Sequence, residues 1–220
     1  VHPENVGGLL IKYWIMEETL HRVIRVVDRI AVRVPEWAVI AGVFVVSILM
    51  QLPNLREIAH GAPEAETILE IAEDPFSQVE RMDGSHGEKK AFRLLVPSMM
   101  RLLGGSSTYH VYALLVGANI LYLSACYFVL RRGTGDKTFS LIAVCALSLT
   151  YSGACGFLDT KGWADAVPLA FLVLAMLKVH PAVVTLCLVS GVLGDERVLM
   201  GIPYVILWQV ILRKGSWTLA

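Results

Sequence analysis

The stretch "GVLGDERVLMG" at 191–201 sets Asp195, Glu196 and Arg197 side by side inside an otherwise apolar run covering 182–212. Ionisable groups within an apolar run mark either a site or a place where water and counter-charges reach. Arg197 could pair with Asp195, Glu196 or an acid on another element, and a hairpin turn at an interface would account for the same charges without any activity. A second polar group, Asp159, Lys161 and Asp165, closes the preceding apolar segment. Arg93 stands four residues before Pro97, next to Lys89 and Lys90. A guanidinium there offers the paired donors that recognise phosphate, and it would serve equally as a headgroup anchor for an interfacial helix. Glu66, Glu70 and Glu73 recur at four and three and so share one helical face, which is ordinarily a wet one.

Several chemistries find no support. There is no phosphate-binding glycine loop, no GxSxG, no HExxH and no dinucleotide glycine pattern. Cys126, Cys145, Cys155 and Cys187 all fall in apolar runs without metal-ligand spacing and read as small apolar fillers. His110 alone begins a clear apolar segment, as a lone interface residue would. Formal net charge is zero, so no basic field argues for nucleic acid, and no nucleic-acid partner is expected.

The elements that must position these residues follow from hydropathy. The 220-residue chain is 55% hydrophobic, which favours membrane segments over mass burial in a soluble core. No short apolar segment followed by a small-residue cleavage site is visible, so a cleaved leader is not expected. Along 9–34, Met16, Leu20, Val23, Val27, Ile30 and Val34 form one stripe, and Arg22, Arg25, Arg29 and Arg33 another. That pattern predicts an amphipathic basic helix over 1–34 on the cytoplasmic side. Spans are predicted at 37–55, 108–130 and 138–158, each near the ~20 residues needed to cross ~30 Å of hydrocarbon. Shorter ones follow at 166–177, 182–194 and 198–212, with a break at "GDER". The acidic 56–92 stretch belongs to an outer loop at 56–106, and "FRLLVPSMMRLLGG" reads as interfacial or re-entrant. Basic turns such as "RRGTGDK" set the orientation. The expected fold is an all-α, multi-pass membrane protein of about six transmembrane segments, some short, with its transmembrane domain at 35–220, in a bacterial inner membrane.

In order of features, "EAETILEIAEDPF", "FRLLVPSMMRLLGG", "GFLDTKGWAD" and "GVLGDERVLMGIPYVIL" resemble the first half of bacterial polyprenyl-linked glycosyltransferases of the GT-C superfamily, over roughly 36–212. The resemblance implies a membrane enzyme that takes a sugar from a polyprenyl-phosphate carrier. Glu64 or Glu66 would be the catalytic acid or base, and Arg93, Asp159 and Arg197 would bind substrate. It leaves the cofactor open and admits a divalent metal. It also implies the bilayer, a polyprenyl-phosphate sugar and other membrane subunits as partners. The first-loop acid is glutamate where the family usually has aspartate, and family members are commonly much longer. The alternative is therefore a non-catalytic transmembrane subunit that scaffolds a larger membrane complex.

Overall fold

The computed structural model describes residues 4–43, 45–46, 49, 63–75, 93–150, 165–178 and 180–216. The described residues are helical, with no strand among them. In chain order the helices are α1 (Glu4–Arg33), α2 (Pro63–Glu73), α3 (Leu95–Leu103), α4 (Thr108–Thr134), α5 (Lys137–Ser148), α6 (Ala166–Leu177) and α7 (Pro181–Gly194). A 3-10 helix (Glu196–Gly201) then leads into α8 (Ile202–Ser216).

Helix ends follow local chemistry. Gly135 ends α4 in the left-handed region (φ 69°), and its N–H returns to the Arg131 carbonyl at 3.0 Å. Asp136 then caps α5 by accepting the Phe139 N–H at 3.0 Å. Pro97 is tolerated in the first turn of α3, where its missing N–H costs little. Pro181 opens α7 for the same reason.

The bundle is organised around α6, which is apolar on every side, as a helix enclosed by others should be. Its Val167 joins a core with Ala65, Ile68, Val96, Met100 and Leu115. One turn on, Ala170 joins Tyr122, Leu123, Tyr127 and Val144, and Ala175 joins Cys187 and Val205. Close approach depends on small residues. A Cβ on Gly194 would stand 3.1 Å from both Pro168 Cβ and Leu95 Cδ2, so α7 ends directly against α6 and the start of α3. Gln209 of α8 donates to the Ala175 carbonyl at 2.7 Å and also to that of Lys178, occupying acceptors that the end of α6 leaves open. On the far side, Leu186, Val189 and Leu193 of α7 and Ile206, Leu207 and Val210 of α8 stay exposed.

The six-span expectation is corrected here. Among the described residues one helix, Thr108–Thr134, is long and apolar enough to cross a membrane, at about 40 Å. The segments expected at 166–177 and 182–194 are helices of 12 and 14 residues, about 18 and 21 Å, and the described part of 138–158 holds a 12-residue helix that ends at Ser148. Such lengths fall well short of ~30 Å. Asp165, Lys178, Pro181 and Asp195 delimit α6 and α7, and the charges at Asp165 and Asp195 are neutralised within the bundle. The piece expected at 198–212 is divided between the 3-10 helix and α8. The segment "FRLLVPSMMRLLGG" is likewise no surface float, since Val96, Pro97 and Met100 of α3 are buried in the bundle. Much of the 37–55 segment lies outside the described residues. With the six spans go the inner-membrane location and the bilayer as a partner, both of which rested on them.

Candidate functional site

Four charged side chains from separate parts of the sequence meet at one end of the bundle. Asp195 follows the last residue of α7 in extended backbone (φ −161°), and its carboxylate accepts the Arg197 N–H at 2.8 Å. This local loop turns the chain out of α7 into the 3-10 helix. The same carboxylate receives the Arg197 side chain, Nε lying 2.9 Å from Oδ1 and 3.0 Å from Oδ2. Arg197 reaches further, its Nη2 standing 2.7 Å from Oδ1 of Asp165 at the head of α6. Arg93, just ahead of α3, closes the group from the opposite side. Its Nη2 is 2.9 Å from Asp195 Oδ2 and its Nη1 is 3.6 Å from Asp165 Oδ1.

Burial grades the members. Side-chain exposure is 4% for Asp195, 10% for Asp165 and 13% for Arg93, against 57% for Arg197. Burial pushes the Asp165 carboxyl above the ordinary carboxylate range, and Asp195 adds to the rise, while Arg197 and Arg93 offset only part of it. Burial acts on Asp195 as well. There the side-chain and backbone hydrogen bonds from Arg197 and the charge of Arg93 prevail, so it lies below that range. Those same hydrogen bonds hold Arg197 above its usual value. The two carboxylates are thus shifted in opposite directions.

The expected site residues do not share one place. Arg93 and Arg197 come together, bridged by the two aspartates. Glu66 is exposed on the outer face of α2, opposite the buried Ala65, Ile68 and Ala72. Glu64 belongs to α2, but its side chain lies outside the described residues, as does the whole of Asp159. Asp165 and Asp195 were not among the residues expected to bind substrate, but the pairing of Arg197 with Asp195 and with an acid on another element was read from the sequence and is found. A signal for both existed, because each is an acid at the border of an apolar run.

No protein-family model, curated protein or solved structure matches this chain. On the fold, the glycosyltransferase function and its alternative, a transmembrane scaffold subunit, are both withdrawn. Each needs a multi-span frame, and a single described helix has the length and apolarity of a span. The polyprenyl-phosphate sugar and the membrane subunits expected as partners are withdrawn with them.

What remains is the chemistry of the cluster. Two arginines and two aspartates sum to zero charge. The side chains of Asp165, Asp195 and Arg197 engage, among the described residues, only one another and Arg93. An incoming anion would have to displace a resident carboxylate already held at 2.7 to 3.0 Å. Among the described residues no histidine, cysteine or serine stands against those carboxylates to act as nucleophile or base. Among the described residues no three His, Cys, Asp or Glu side chains form a metal-binding set.

Proposed function

We propose that the chain is a non-catalytic ligand-binding module, in which the four charges form a structural clasp and the working surface is the cleft the clasp holds. The observation that carries this reading is a chain adjacency. Arg93 is tied to Asp195, and the next residue, Leu94, is a wall of the cleft between α2 and α3. That cleft encloses about 570 Å³, within the range of small-molecule sites. Leu95 packs against the Gly194 backbone beside the clasp. Loosening the clasp should thus free one wall of the cleft before it disturbs the rest of the bundle.

Amide hydrogen exchange tests this. Asp195→Asn should speed exchange across 94–101 of the cleft wall more than in α5. Equal acceleration in both segments would reject the link between clasp and cleft.

A further inference from the structure

The α2–α3 cleft has a chemical character that narrows its ligand. Its walls are apolar, formed by Ile71 and Pro75 on one side and Leu94, Pro97 and Leu102 on the other. Leu102 is 87% exposed. Two polar side chains line the cleft, Ser98 and Arg101. They stand three apart on α3 and therefore on one edge of the helix, so hydroxyl and guanidinium point to a common region. No acid among the described residues lines the cleft. Among the described residues the Arg101 side chain has neither an ion-pair nor a hydrogen-bond partner, in contrast to Arg93 and Arg197, whose charges meet carboxylates within the clasp.

An apolar cleft of this size with a single unmatched cation calls for a ligand with an apolar body and a single negative charge. A dianionic phosphate would leave excess charge beside apolar walls, whereas a carboxylate balances one guanidinium and matches its paired donors. We infer that the α2–α3 cleft binds an apolar monocarboxylate of alkyl or arylalkyl type. Arg101 takes the carboxylate, Ser98 donates to it, and the chain or ring covers Leu94, Pro97 and Leu102. The inference rests on reading the chain as a ligand-binding module, and it specifies the ligand of that module.

Isothermal titration calorimetry of the full chain with decanoate, below its micellar concentration, tests it. Saturable one-to-one binding is expected, with decylamine at least about tenfold weaker. Arg101→Gln should weaken decanoate at least about tenfold, the loss expected for a charge-assisted contact. Ser98→Trp, which fills an exposed position of the cleft, should abolish binding while the melting temperature stays unchanged. Absence of saturable decanoate binding, equal binding of decylamine, or an unaltered affinity in Arg101→Gln would each overturn the assignment. Decanoate binding that survives in an Asp195→Asn protein with an unaltered exchange pattern would reject the clasp's control of the cleft and leave the ligand assignment standing.

Discussion

Arg93 Nη2 lies 2.9 Å from Asp195 Oδ2, joining the residue that leads into α3 to the residue that ends α7. With Asp195 almost fully enclosed, the pair operates where solvent screens little. The more exposed Arg197 holds Asp195 in place and extends the contact to the head of α6.

The two aspartates should respond differently to neutralisation. The surroundings of Asp195 favour its charged form, so Asp195→Asn takes from Arg93 the carboxylate charge 2.9 Å away and should cost about 3 kcal/mol. The surroundings of Asp165 favour its neutral form, so Asp165→Asn should cost about 1 kcal/mol or less. Urea denaturation of the two variants measures both values. A larger loss for Asp165→Asn would reverse the assigned roles.

Acidification should separate the same pair. The contribution of Asp195 is fully present above roughly pH 4, the unfolded carboxylate value, and is lost as pH falls through its lower folded value. Asp165 has the opposite sign. Its raised folded value means that the native state takes up this proton before the unfolded chain does, so acidification from neutrality toward roughly pH 4 adds stability. The stability gap between wild type and Asp195→Asn should therefore narrow below about pH 4. The gap between wild type and Asp165→Asn should shift in favour of wild type on the way down to that pH. Denaturation curves across the acid range check both trends.

Gln209 makes a further point of attack, remote from the clasp. Its amide serves carbonyls at the C-terminal end of α6, among them Ala175 at 2.7 Å. Gln209→Ala should leave these acceptors unserved and cost about 1 kcal/mol, read from thermal or urea unfolding. Hydrogen exchange should quicken in the last turn of α6, and full protection there would show that another group replaces the amide.

Local features of the chain were legible in the sequence, and its global arrangement was not. The limits of α6 follow from Asp165 and Lys178, and the helix break at "GDER" follows from three charges in an apolar run. The open face of α2 follows from the spacing of Glu66, Glu70 and Glu73, all of which are exposed. Apolar composition, however, does not distinguish a helix enclosed by other helices from one enclosed by lipid. The segments at 166–177 and 182–194 are that ambiguous case, and their lengths were the stronger clue. Arg93 illustrates a second limit. Its neighbours Lys89 and Lys90 suggest a surface anchor, while its partners Asp165 and Asp195 are set by packing among α3, α6 and α7, which no local pattern encodes.

A double-mutant cycle between Arg93 and Asp195 tests the clasp most directly, with Arg93→Gln, Asp195→Asn and the pair compared by urea denaturation. A coupling of about 1.5 kcal/mol or more is predicted for two charges in contact inside the bundle. Additivity within about 0.5 kcal/mol would show that the two residues do not hold one another, and the clasp would be contradicted.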